Sequence, residues 1–278
     1  KIPGPVAIRR AGLGIRESAA IPAPARGASP ASAYKPYFIG IPQATGAALP
    51  DFHWEAPEPA ALRFTPLHAT HLALGAKMVG FGGWDMPVWY SSVKEEHATV
   101  RPAAGLFDVA HMGVYQAEGP DAAVFLDSVC GNDIRALAVG ESCYTHFLDP
   151  DANVIDDLLV YRRGPEKYLV VVNASNDDKD WGWLNAVKDG KVKVDNQRPW
   201  SRAYGRNVIL RNLRVPKEGP DMRVDLALQG PRSRDILLAL EPNPAAQKLV
   251  RRLERTQLCE VTLGGFDLIV SRTGYTGE

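Results

Sequence analysis

Between residues 142 and 172 the apolar positions fall into three short runs, each separated from the next by residues that form turns. Tyr144 to Leu148 is the first run, broken by Asp149-Pro150-Asp151-Ala152-Asn153; Val154 to Tyr161 is the second, broken at Arg163-Gly164-Pro165; Tyr168 to Val172 is the third. This pattern predicts three consecutive strands. In the middle one, side chains alternate, so Val154, Asp156, Leu158 and Val160 share one face and Ile155, Asp157, Leu159 and Tyr161 the other. Both faces are otherwise apolar. A strand covered on both sides loses several kcal/mol for each unpaired buried charge, so at least one of the two adjacent aspartates needs a partner or a ligand.

Elsewhere the periods and punctuation predict further elements. Thr65-Pro66 reads as the N-cap and first turn of a short helix through Leu74, ended by Gly75. Met78 to Phe81 is a brief strand, followed by a turn over Gly82 to Pro87. Ser92 with Glu95 three residues later is a capping-box signal for a helix over Val93 to Val100. Residues 106–115, LFDVAHMGVY, read as one strand. Asp121 to Cys130 reads as a helix with Ala123, Phe125, Leu126 and Val129 inward. Ser175 and Asp178 are spaced to cap a helix whose Trp181, Leu184 and Val187 form one stripe. Later come a strand over Val224 to Leu228, helices to Leu240 and over Pro244 to Leu253, and a hairpin around Gly264-Gly265. Strand pairs on short turns, mixed with separate helices, define an α+β chain with antiparallel or mixed sheets.

Composition narrows the function. Lys plus Arg equals Asp plus Glu at 32 each, which gives no support to general nucleic-acid binding. No apolar stretch approaches the roughly 20 residues of a membrane helix, so a soluble protein is expected. Cys130, Cys143 and Cys259 are far apart and odd in number, which suggests reduced thiols in a cytosol-like compartment; a cytoplasmic location is expected, or the mitochondrial matrix in a eukaryote. The histidines include no HExxH, and although His68 and His71 are three apart, no metal is expected. Residues 1–62 are rich in Pro and Ala, without a sustained period, and are expected to be an extended or disordered extension, with Tyr37-Phe38-Ile39 and His53-Trp54 as its anchors on the body. Residues 195–223 hold six arginines broken up by Pro and Gly and read as a solvated insertion.

Five ordered blocks carry a resemblance. They are TPLHATHLALGAKMVGFGGWDMPVWY (65–90), GLFDVAHMGVY (105–115), VIDDLLVY with the following LVVVNAS (154–161 and 169–175), LALQGP (226–231) and SRTGYTGE (271–278). Together they resemble the aminomethyltransferase family, the T-proteins of the glycine cleavage system, from about Thr65 to Glu278. The resemblance implies a folate-binding region over 63–278. It also implies an activity, transfer of an aminomethyl group from the lipoyl arm of a partner, the H-protein, to tetrahydrofolate, with release of ammonia and formation of methylene-tetrahydrofolate. It assigns Asp156 the catalytic carboxylate and leaves Asp157 on the opposite side with a structural part, roles that swap if the register is reversed. Glu278 would hold the pterin, and Tyr144, Asn173, Met112 and Tyr275 would contact the ligand. The blocks match the first half of the family's length. Members continue beyond GYTGE with an arginine that contacts folate and a closing domain, so this chain alone is expected to bind folate weakly or not at all. The first alternative is a related folate-dependent demethylase. Another is a non-enzymatic folate-binding protein of the superfamily, but those carry a cysteine in a KGCYxGQE-type motif that SRTGYTGE lacks.

Overall fold

The computed structural model describes residues 46–57, 61–203 and 205–274. All of them lie in one compact unit, Gly40–Glu278; the other unit, Lys1–Ile39, lies outside the described residues, and with it the expected anchor Tyr37-Phe38-Ile39. In chain order the elements are α1 (His68–Ala73), β1 (Lys77–Phe81), β2 (Trp84–Trp89), α2 (Val93–Val100), β3 (Gly105–Asp108), β4 (Gly113–Glu118) and α3 (Ala122–Val129). There follow β5 (Ser142–Leu148), β6 (Val154–Gly164), β7 (Lys167–Val172), α4 (Asp177–Asp189), β8 (Ile209–Asn212) and β9 (Leu226–Gln229). The last four are α5 (Ser233–Ala239), α6 (Pro244–Arg252), β10 (Leu258–Leu263) and β11 (Phe266–Ser271).

The expected meander forms one side of a five-stranded antiparallel sheet of order β5-β6-β7-β4-β8, with β5 as an edge strand. Its alternation separates two cores. On one face Phe147, Leu158, Val160, Tyr168, Val170, Val172 and Tyr115 meet Phe125, Leu126 and Val129 of α3 and Trp183, Leu184 and Val187 of α4. On the other face Val114, Tyr161 and Leu169 meet Leu213 and Leu258, with Leu159, Val171 and Ile269 beside them. Burial on both faces explains why β6 and β7 read as nearly continuous apolar runs. The α5, α6 and β10–β11 elements close over a smaller core of Leu238, Val250 and Leu263.

Several local readings change. The expected turn over Gly82 to Pro87 is instead a hairpin: Gly82 and Gly83 have φ of 56° and 82°, the left-handed pair that a tight primed turn needs, and β2 returns along β1. Gly264 and Gly265, at 56° and 83°, do the same between β10 and β11. Residues 106–115 are two strands. β3 leaves to pair with β9, β4 enters the central sheet, and the chain bends between them at Val109–Met112. The 195–223 stretch is not wholly a solvated insertion, because it supplies β8, the edge strand beside β4. Ser92 Oγ caps α2 by accepting from Glu95 N–H, but the reciprocal carboxylate is Glu96, which accepts from the N–H groups of Tyr90 and Ser91. Residues 46–57 have no regular secondary structure, yet they lie along α4: Phe52 meets the Trp183 ring edge-on at 5.2 Å and Trp54 lies over Gly182.

Thr65 does not cap α1. Its hydroxyl donates to Asp108 Oδ2 at 2.6 Å, and His71 Nε2 lies 2.8 Å from the same oxygen. Ala110 N–H donates to Asp108 Oδ1 at 2.9 Å, and His71 Nδ1 lies 2.7 Å from the Tyr90 hydroxyl. This buried knot ties α1, β2 and β3 together. Burial pushes the Asp108 carboxyl up, but the bonds from His71 and Thr65 outweigh it and hold it below the usual range. Asp108→Ala would leave three donors without an acceptor, and urea unfolding should show a loss of about 3 kcal/mol; a loss below about 1 kcal/mol would contradict the knot.

Candidate functional site

The meander's paired carboxylates stand back to back at one end of the central sheet. Asp156 lies on the helix-packed face with only 3% of its surface exposed. Its Oδ2 accepts from the backbone N–H of Asn173 at 3.0 Å. Its Oδ1 accepts from Asn173 Nδ2 at 3.0 Å and from Asn176 Nδ2. Among the described residues three N–H donors satisfy this buried carboxylate, the arrangement a charge needs when it lies out of water.

Asp157 points the other way and is only half-buried. Tyr144 donates its hydroxyl to Asp157 Oδ2 at 3.0 Å, and Asn173 Nδ2 lies 3.0 Å from Asp157 Oδ1 and 2.9 Å from the Asp157 carbonyl. The register explains the grouping. His146 pairs with Asp157 and Tyr144 with Leu159, so Tyr144, His146 and Asp157 share the second face, where the Tyr144 and His146 rings meet edge-on at 5.2 Å. Val172 pairs with both Leu158 and Gly113, so the next residues outward, Asn173 and Met112, continue the same end of the sheet beside Asp157.

The structure therefore brings Tyr144, Asp156, Asn173 and Met112 to one end of the sheet, but divides them. Asp156, the residue the resemblance assigns to the ligand, is turned by the strand's alternation into the core, where asparagine amides hold it, and Asp157 is left on the face that solvent reaches. Tyr144, 54% exposed, is on that face. Met112 is buried, and its carbonyl accepts from Arg214 Nε at 2.7 Å. Tyr275 and Glu278 lie outside the described residues.

Three contributors were not found from sequence. Asn176 supplies an amide to Asp156, Arg214 pins the Met112 loop while also meeting Asp225 at 3.3 Å, and His146 sits beside Tyr144. The ASNDDKD run after β7 held the only advance signal for Asn176, as a cluster of polar residues where β7 hands over to α4. The thiols offer no activated nucleophile among the described residues: burial pushes Cys143 up to about 11 and raises Cys130 and Cys259 as well. His68 and His71 do not converge on a common point, since each faces its own carboxylate, Asp85 and Asp108.

Comparison with known proteins gives the family. Residues 67–278 match the family described as GCVT N-terminal domain, and the chain belongs to that family. It is 42% identical over 220 residues to an aminomethyltransferase of Symbiobacterium thermophilum, covering 78% of this chain and 53% of that protein. It is 39% identical over 218 residues to an aminomethyltransferase of Bacillus subtilis, with 78% and 53% covered. The crystal structure of the glycine cleavage system aminomethyltransferase T from Bartonella henselae superposes with a TM-score of 0.63 at 32% identity, covering 78% of this chain and 52% of that one. The chain thus spans about half the length of the relatives it matches.

The hydrogen bond to Asp157, followed by burial, raises the Tyr144 phenol above its ordinary value, because ionising the tyrosine would set a second negative charge against the carboxylate. Asp157→Asn should return that titration toward the value of a free tyrosine, read from the ring carbon shifts of labelled tyrosine against pH. An unchanged titration would mean that the Tyr144–Asp157 bond does not form in solution.

Proposed function

We propose that this chain forms the folate-facing half of an aminomethyltransferase and that Asp157 is the carboxylate that meets the ligand. The observation that carries the reading is the half-buried Asp157 carboxylate, clamped between the Tyr144 hydroxyl and the Asn173 amide on the accessible face of the sheet. Membership of the GCVT N-terminal domain family and the likeness to proteins named aminomethyltransferase support it.

In this reading the substrates are tetrahydrofolate and an aminomethyl group carried as a thioether on the lipoyl arm of a partner protein. A carboxylate suits both, since it accepts hydrogen bonds from neighbouring N–H groups of the pterin and stabilises positive charge on the aminomethyl carbon as the carbon–sulfur bond breaks. The two folate nitrogens that take up the carbon give up one proton each; one goes to the amino group, which leaves as ammonia, and the other to the sulfur, which restores the thiol of the arm. Tyr144 and Asn173 hold the Asp157 oxygens in place so that little reorganisation is needed when that charge develops. Asp156 acts from behind, through the shared Asn173 amide, and does not touch the substrate.

Supplying the C-terminal half of the Bacillus subtilis relative in trans tests the proposal. The chain alone should bind tetrahydrofolate weakly or not at all, and the completed protein should bind it and form methylene-tetrahydrofolate from the loaded lipoyl partner. Asp157→Asn in that completed protein should lower turnover by about 100-fold or more, the usual scale for a group acting on charge or protons in the transition state. Turnover within about threefold of the unsubstituted protein would remove the assignment of Asp157.

A further inference from the structure

Behind Asp156 lies a second buried acid. Asp180 is one helical turn after Asn176 on α4, its own N–H donating to the Asn176 carbonyl at 2.8 Å, and it is fully buried. Neither of its carboxyl oxygens receives an N–H or hydroxyl from any described residue, and Asn176, one turn earlier, gives its side-chain amide to Asp156, which puts the Asp156 carboxyl beside this end of α4. Two ionised carboxylates offer no donor between them, so two buried acids brought together here can bond to each other only if one of them carries a proton.

The donor inventory decides which. Asp156 already accepts three N–H bonds, which favour its charged form, whereas Asp180 accepts none and has no water-facing surface. We infer that Asp180 is held as a neutral carboxylic acid that donates its proton to Asp156, so that the two acids share one negative charge and Asp180 positions the Asp156–Asn173–Asp157 network from behind. The inference rests on the reading of Asp157 as the ligand-facing group only for its functional meaning; the protonation itself stands on full burial and on two carboxyl oxygens that receive no donor from the described residues.

The surroundings agree. The charged and titratable groups facing Asp180 are Asp156 on β6, Asp177 and Lys179 on its own helix, and the Tyr115 phenol on β4, which is itself bonded to Asp177. Lys179, the nearby cation, directs its ammonium to the Ile155 carbonyl at 2.7 Å. Desolvation by burial, then the bond to Asp156 and the negative charges of Asp156 and Asp177, push the Asp180 carboxyl up to about 9 from an ordinary 3.8, against the opposing pull of Lys179. The folded chain therefore binds this proton over a window in which the unfolded chain does not. Its contribution to stability is full below about pH 4 and is lost as the pH climbs to about 9.

Three measurements on the whole chain test this, none requiring folate or turnover, so failure here is separable from failure of the proposed function. Isotope-edited infrared spectra of aspartate-labelled protein at pH 7 should contain a protonated carboxyl band that shifts in heavy water and disappears in Asp180→Asn. The thermal midpoint of Asp180→Asn, whose amide keeps the donor to Asp156 but cannot titrate, should gain on that of the unsubstituted protein steadily from pH 5 to pH 9. Asp180→Leu, which has no donor, should shift the Asn173 side-chain amide signals, and Asp180→Asn should restore them. The absence of a protonated carboxyl at pH 7 in the unsubstituted protein would overturn the inference even if both variants failed to fold, and parallel midpoint curves for Asp180→Asn would overturn it as well.

Discussion

The site depends on one amide. Asn173, just past the end of β7, reaches both members of the adjacent carboxylate pair with a single NH2 group, within 3.0 Å of Asp156 Oδ1 and of Asp157 Oδ1, and its backbone N–H takes the remaining Asp156 oxygen. Adjacent residues on a strand face opposite ways, so a partner shared by both side chains cannot lie within the sheet. It has to come from where the ladder ends, and β7 stops at Val172. The position of the carboxylates near the start of β6 and the end of β7 is therefore what allows two negative charges to stand side by side in an apolar ribbon.

That constraint organises the layers around it. On the helix side, α4 must present Asn176 to Asp156 and bring Asp180 up behind it, which fixes the helix against the sheet, with Trp183, Leu184 and Val187 as the apolar seal. Phe52, on the segment before α1, covers Trp183 from outside. On the other side, the hairpin β10–β11 and Leu213 pack over Val114, Tyr161 and Leu169 but stop short of the end where Tyr144 and His146 stand. The result is a sheet whose body is sealed on both faces and whose one end carries a carboxylate on an open surface.

How much of this was legible in the residues follows from what each kind of signal encodes. The meander was readable because strand alternation and turn residues are local, and the three runs lie within two residues of β5, β6 and β7, β6 extending on to Gly164. The split of 106–115 into β3 and β4 was not, because β3's partner, β9, is more than a hundred residues away. The hairpin β1–β2 was missed although the Gly82-Gly83 pair matches Gly264-Gly265, since Pro87 reads as a breaker and is tolerated here in a two-stranded ribbon. For the site, alternation predicted correctly that Asp156 and Asp157 part company, but it carries no information on which face closes. That was settled by packing of α3 and α4, and by Asn173 and Asn176, whose polar character alone does not announce what they bind. Strand β8 was hidden by the arginines and prolines around it, which pattern reading weighs as solvent exposure.

The central claim is that the two carboxylates differ in access, one locked in the core and one open to a ligand. Native-state labelling of carboxyls with a water-soluble carbodiimide and an amine, resolved by fragmenting the peptide that spans β6, measures this directly. Asp157 should be modified readily while Asp156 and Asp180 remain protected until the chain unfolds. Modification of Asp156 at a rate equal to or above that of Asp157 would contradict the account.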